Sequence, residues 1–160
     1  MKDYIFETEI WLPYPRETVF EFFKEAANLE RITPPWLNFR VLTPLPITMF
    51  AGRMIDYNIR LYGIPMRWRT EITQWEPPFS FVDSQIRGPY KKWVHTHTFE
   101  ERDGGTWMHD RVEYRIPGGI FAAIPHVLFV RKNIEQIFRY RKTQIQAIFS
   151  GAEKTETVDG

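Results

Sequence analysis

The 160-residue chain predicts an α+β fold: one strand, a short helical pair, six further strands of antiparallel type and one long C-terminal helix. Two observations carry this. Seven segments show the period-two alternation of apolar and polar residues that a sheet covered on one face requires, because successive side chains point to opposite faces. One long segment, His126–Phe149, instead repeats apolar residues at spacings of three and four, the period of an amphipathic helix. Every strand then has one face to bury and the helix has one stripe, so a strongly curved sheet gripping that helix satisfies both. The length suits a single domain over residues 1–149, large enough to bury a core without metals or disulfides.

The elements follow in order. Phe6, Thr8, Ile10 and Leu12 alternate with Glu7, Glu9 and Trp11, giving a strand over residues 4–12 that Pro13-Tyr14-Pro15 ends. Arg16–Ala27 reads as a short helix with Val19, Phe20, Phe22 and Phe23 on one side, and Asn28–Ile32 adds a further turn or two before Thr33-Pro34-Pro35. Leu37, Phe39 and Val41 mark a second strand. Ile55, Tyr57, Ile59 and Leu61 mark a third over Arg53–Leu61, and Tyr62-Gly63-Ile64-Pro65 turns it back into a fourth carrying Met66, Trp68, Thr70 and Ile72. Three consecutive strands follow, Phe79–Arg87, Lys91–Glu101 and Thr106–Ile116. Ile116–Pro125 is an apolar connection, in which Ile120–Ile124 reads as a lid, a membrane-touching loop or a packed link. In the final helix Val127, Val130, Ile134, Ile137, Phe138, Ile145 and Ile148 form the apolar stripe, and Arg141 falls on it. Ser150–Gly160 is polar without periodicity and is expected to be a disordered tail.

Composition removes several classes of function. The chain has no cysteine, so disulfide frameworks and thiolate chemistry are excluded. A net charge of +1 with interspersed signs gives no footprint for nucleic acid. Met1-Lys2-Asp3-Tyr4 lacks an apolar leader core and no stretch approaches membrane-spanning length, which predicts a cytoplasmic protein without stable membrane insertion. Neither a Gly-rich phosphate loop nor a nucleophile elbow is present. Aromatic residues make up 16% of the chain, and many sit on strands, where they can line a pocket.

The three strands over residues 79–116 hold the chemistry. One face carries Phe81, Asp83 and Gln85, then Trp93, His95, His97 and Phe99, then Met108, Asp110, Val112 and Tyr114; the other carries Thr96, Glu100, His109, Arg111 and Glu113 and is the solvated one. The inner face thus holds two aspartates, a glutamine and two histidines among aromatics. Buried polar groups are costly unless paired, so such a wall implies a lined cavity or a satisfied internal network. An Asp103-Gly104 hairpin turn places His97 opposite Asp110, and a three-residue Gly88-Pro89-Tyr90 loop places Asp83 opposite His95.

Asn28-Leu29, Thr33-Pro34-Pro35, Pro77-Pro78-Phe79, Phe81-Val82-Asp83-Ser84-Gln85, Gly88-Pro89-Tyr90, the run from Trp93 to Phe99, Gly105-Thr106 and Asp110-Arg111-Val112 resemble a bacterial branch of the SRPBCC, or START-related helix-grip, superfamily over residues 3–149. That superfamily includes polyketide cyclases and aromatases, lipid-transfer domains, pollen-allergen proteins and coenzyme-Q-binding proteins. The resemblance implies a seven-stranded curved sheet around a long helix, with a hydrophobic cavity between them. It does not choose a function, because the fold hosts binders and enzymes alike.

Three functions follow as expectations. The first is binding of a small hydrophobic or aromatic molecule with a polar head, without a cofactor, by Tyr57, Trp68, Asp83, Gln85, Trp93, His95, His97, Phe99, Met108, Asp110 and Arg141. The second is a cyclase or dehydratase in which His95 or His97 moves a proton and Asp83 or Asp110 orients the imidazole. The third is an interaction domain whose polar network only fixes strand register. His-x-His beside a carboxylate also suits a divalent metal, but large aromatics flank both histidines and no metal is expected. Arg141 is expected to pair with Asp110, Asp83 or an acidic ligand group, or else to snorkel past the helix.

Overall fold

The computed structural model describes residues 2–118 and 124–156. Its seven strands are β1 (Tyr4–Leu12), β2 (Arg40–Val41), β3 (Met54–Leu61), β4 (Ile64–Glu76), β5 (Ser80–Arg87), β6 (Lys92–Arg102) and β7 (Gly105–Arg115). Helices α1 (Arg16–Lys24) and α2 (Leu29–Ile32) lie between β1 and β2, joined by a 3-10 turn at Ala26–Asn28, and α3 (Ile124–Glu156) ends the described chain. The strands form one antiparallel sheet in the order β1-β7-β6-β5-β4-β3-β2. The chain is therefore the α+β arrangement of a curved sheet and a long helix.

The alternation read from the sequence sets the packing. On β7, Thr106, Met108, Asp110, Val112 and Tyr114 are buried, and on β6 His95, His97 and Phe99 are. From the helix, Val130, Ile134, Phe138, Ile145 and Phe149 meet this face. One end of the core gathers Ile10, Leu12, Val19, Phe20, Phe23, Phe99 and Met108 around Ile145 and Phe149; the other gathers Val112 and Tyr114 against Val130, Ile134 and Phe138. Burying aliphatic and aromatic side chains of this size stabilises by about 1.5–3 kcal/mol each before conformational entropy is counted, so these two clusters hold the helix in the sheet.

Register is fixed by turns. Asp103 and Gly104 adopt φ of 59° and 73°, the left-handed pair that a tight two-residue hairpin needs, and Arg102 pairs with Gly105. His97 consequently lies opposite Asp110, and on the other side Asp83 lies opposite His95. Tyr62 and Gly63 make an equivalent two-residue turn, with φ of 52° and 77°, so Ile64 and Pro65 belong to β4 rather than to the turn. A register shift between Ile72 and Gln74 changes parity in β4 and turns Trp75 toward the core.

The larger departures from the sequence expectation lie in the first helix, the second strand and the long helix. The first helix stops at Lys24, because Glu25 is extended (ψ 108°). The strand expected from Leu37 begins only at Arg40: Pro35–Leu37 is a 3-10 turn ended by Asn38 in the left-handed region, φ 44°. The long helix starts two residues earlier than expected and runs on to Glu156, so residues 150–156 of the expected tail are helical. Residues 157–160 and residues 120–123 of the expected lid lie outside the described residues, while Ile124 opens α3.

Candidate functional site

Strand β6 runs between β5 and β7, so inward side chains on it reach partners on both sides. His95 and His97, two residues apart, share the inner face, with ring centroids 3.7 Å apart and planes tilted by 30°. Phe81 stacks on the outer side of His97 at 4.0 Å, and Phe138 of α3 meets His95 at 5.5 Å. One aromatic ring thus stacks on the imidazole pair and another meets it edge to face. The hydrogen bonds are diagonal rather than directly cross-strand: His95 Nε2 lies 2.7 Å from Asp110 Oδ1, and His97 Nε2 lies 2.7 Å from Asp83 Oδ2. His97 Nδ1 also approaches Asp110 Oδ1 at 3.2 Å without hydrogen-bond alignment, and His95 Nδ1 stands 3.9 Å from Asp83 Oδ2.

Arg141 enters this space from α3, its side chain 12% exposed. Its Nη2 is 3.9 Å from Asp110 Oδ1, and its guanidinium lies 5.6 Å from the Phe23 ring and 5.9 Å from that of Phe138. Nε and Nη2 make no hydrogen bond among the described residues. One carboxylate oxygen, Asp110 Oδ1, therefore faces two imidazoles and a guanidinium.

The protonation pattern follows from these contacts. Burial disfavours the Asp110 anion, but the Arg141 charge, the bond from His95 and the close approach of His97 outweigh it and hold the carboxyl well below the usual range. Asp83 is lowered too, since the His97 bond and the charges of His95, His97 and Arg141 overcome burial. Burial and the neighbouring His97 charge pull His95 down, against its bond to Asp110. His97 is raised: burial pulls it down, but the two carboxylates more than offset that. The two lowered carboxylates thus face the raised His97 and the Arg141 guanidinium, groups of opposite sign set together as buried ionic groups require.

The cluster forms the polar end of a cavity of about 170 Å³ between sheet and helix. Asp83, His95, His97 and Arg141 line it, together with the expected Tyr57, Trp68 and Trp93. Burial and the Asp83 charge push the Tyr57 phenol well above its ordinary range, so it remains a neutral donor. Leu29, Ile32 and Leu37 close one wall and Ile134, Ile137 and Phe138 another. Trp68 and Trp93 meet edge to face at 5.5 Å, and Tyr90 packs on Trp93 at 4.8 Å.

Three expected site residues do other work. Gln85 spends its amide on the Gly88–Tyr90 loop, donating from Nε2 to the Tyr90 carbonyl at 2.7 Å and accepting from the Tyr90 N–H at 3.1 Å. Phe99 and Met108, 2% and 0% exposed, belong to the packed core and do not line the cavity. Asp110 sits behind the histidines and meets the cavity through them. Conversely, Tyr90, Leu37 and Phe39 line the cavity from irregular segments, a placement that neither a turn signal at Tyr90 nor an alternation at Leu37 and Phe39 reveals. A larger, open groove of about 890 Å³, lined by Trp36, Tyr62, Phe129, Asn133 and Tyr140, runs along a flank of α3; none of the titratable cluster reaches it.

Comparison with known proteins agrees with this architecture. The family model described as "Polyketide cyclase / dehydrase and lipid transport" matches residues 12–140. A solved structure of protein Ms6760 from Mycobacterium smegmatis is similar at a TM-score of 0.66 and 19% identity, covering 92% of each chain. A nucleoside-diphosphate sugar epimerase from Corynebacterium glutamicum is similar at a TM-score of 0.67 and 25% identity, covering 95% of this chain but only 30% of that one. The major latex-like protein 151 of Panax ginseng is similar at a TM-score of 0.64 and 11% identity, covering 92% of this chain and 97% of that one. No curated protein matches the sequence. Among the described residues no helix is long and apolar enough to cross a membrane.

Proposed function

The chain belongs to the polyketide cyclase / dehydrase and lipid transport family, of START-related type, and from that premise we propose that it binds a small aromatic or apolar molecule with a polar head. The apolar part lies between Trp68, Trp93 and α3, and the head meets the cluster of Asp83, His95 and His97. The observation that carries this is the convergence of four charged or titratable side chains on one end of an otherwise apolar cavity. A network that served only strand register would have no need to line open space.

Size narrows the ligand. An apolar cavity of about 150 Å³ accommodates benzene, so about 170 Å³ suits one aromatic ring and its substituents. The two carboxylates of the cluster already face the imidazoles and the Arg141 guanidinium, which favours a neutral, hydrogen-bonding head such as a phenol or carbonyl that Tyr57 and His95 can meet. Titration with single-ring phenols and aryl ketones should quench tryptophan emission saturably, through Trp68 and Trp93. Trp68→Phe should remove part of that signal and Trp36→Leu should not. A response that depends on Trp36 alone would place binding in the outer groove and overturn the proposal.

A cyclase- or dehydratase-type reaction is the second reading. What favours it is the pairing of a raised His97 with a lowered His95 on one cavity wall, an acid and a base within reach of one ligand head. It is distinguished from simple binding by turnover of a bound aromatic ketone or β-hydroxyketone, with His97→Gln abolishing the turnover but retaining binding.

A further inference from the structure

We propose that Asp83, His95 and His97 form a divalent transition-metal site of two imidazoles and one carboxylate, whose open positions face the cavity. Three donor atoms, one from each side chain, lie within 4.8 Å of one another. His95 Nδ1 stands 3.9 Å and His97 Nε2 2.7 Å from the same oxygen, Asp83 Oδ2. Metal–ligand bonds of about 2.0–2.2 Å put tetrahedral donors about 3.4 Å apart. The first separation must therefore close by about 0.5 Å and the second open by about 0.7 Å, while the two donor nitrogens, no more than 4.8 Å apart, close by at most about 1.4 Å.

What distinguishes this cluster from an ordinary buried network is the far side of both rings. His95 gives its other nitrogen, Nε2, to Asp110 at 2.7 Å, and the other nitrogen of His97, Nδ1, lies 3.2 Å from the same Asp110 oxygen. A histidine that ligates a metal characteristically donates its second N–H to a carboxylate, which fixes the tautomer and aims the free lone pair. Asp110 gives that support to His95 and stands close enough to His97 Nδ1 to give it there after a small ring rotation. Arg141, 3.9 Å from Asp110 Oδ1, balances the supporting carboxylate instead of competing for the donor triangle. Two nitrogens and one oxygen suit Zn²⁺, Co²⁺ or Fe²⁺ rather than Mg²⁺ or Ca²⁺, which prefer all-oxygen shells. Of the aromatic neighbours, Phe81 stacks on His97 and Phe138 meets His95 edge to face, while Asp83, His95 and His97 all line the cavity.

The test uses the full chain, stripped with chelator and titrated with Co²⁺, and needs no organic ligand. Failure here would therefore leave the aromatic-binding proposal standing, and the converse also holds. Co²⁺ should bind one per chain and give paramagnetically shifted imidazole resonances from His95 and His97, with none from His109, which lies on the outer face near Glu7. Asp83→Asn should abolish the shifts, and Asp110→Asn should weaken binding about 10–100-fold while keeping the 1:1 stoichiometry. The wild-type spectrum is informative even if a variant fails to fold. Shifts confined to His109, no shifts at all, or Co²⁺ affinity unchanged in folded Asp83→Asn would overturn the proposal.

Discussion

Replacing Asp110 by asparagine tests whether the cluster is held together electrostatically. Asp110 is 3% exposed, and one of its oxygens faces His95 at 2.7 Å, His97 at 3.2 Å and Arg141 at 3.9 Å. Asparagine keeps the shape and can still accept from His95, but the guanidinium loses the only carboxylate within 4.0 Å of it among the described residues. Opposite charges at that separation interact by about 4 kcal/mol at an effective dielectric of 20, and stranding a buried charge costs about 3–5 kcal/mol. In a chain of this length that lowers Tm by about 10 °C. Arg141→Met should cost less, because Asp110 retains both imidazoles. The double variant Asp110→Asn/Arg141→Met should recover about 1–3 kcal/mol of the summed losses, measured by urea unfolding of all four proteins. If the two losses add to within about 0.5 kcal/mol, Arg141 does not feel Asp110 and the charge account of the cluster is wrong.

The remaining expectations concern pH and the turns. His97 is raised in the folded state, so the stability it contributes is fully present below the unfolded histidine pKa of about 6.5 and is lost as pH rises through the folded value. The loss on His97→Gln, measured by urea unfolding with chelator present, should accordingly be larger at pH 6 than at pH 9; a loss that grows with pH would contradict the assignment. Asp110 and Asp83 are lowered, so their contribution persists above the unfolded aspartate range and disappears only in acid, and Asp110→Asn should flatten the acid limb of the stability profile. At the β6–β7 turn, Gly104→Ala meets open space but a φ of +73° and should cost about 1 kcal/mol. Gly105→Ala drives its Cβ into the Leu12 carbonyl oxygen and should cost at least twice as much, since backbone must move. Equal thermal shifts for these two variants would show that β1 does not hold β7 this closely.

Period-two alternation made the inner face of β5, β6 and β7 legible before any coordinates, because a slip of one residue would have turned every apolar side chain outward. The Asp103-Gly104 turn then fixed which histidine faces which aspartate. The diagonal bonding was not legible, since it depends on how two adjacent imidazoles share the space beside Phe81 and Phe138. Phe99 and Met108 have the same parity as His95 and Asp110 but lie nearer α1, where Phe20 and Phe23 fill the space. Parity alone cannot separate core from cavity along one strand. Leu37, Phe39 and Tyr90 reach the cavity from irregular segments, and their position there depends on Pro34-Pro35, on the left-handed Asn38 and on the Gln85 amide.

The measurement that bears most directly on the central proposal is a long-range ¹H–¹⁵N spectrum of the imidazoles, recorded while a single-ring phenol or aryl ketone is titrated into the chelator-treated protein. A ligand whose ring lies between Trp68 and Trp93 must bring its head to the cluster, since the cavity holds little more than that ring. The account predicts that the His95 and His97 signals move saturably, with the same Kd as the tryptophan quench, while His109 stays fixed. Tryptophan quenching that saturates with the His95 and His97 signals unmoved would contradict it.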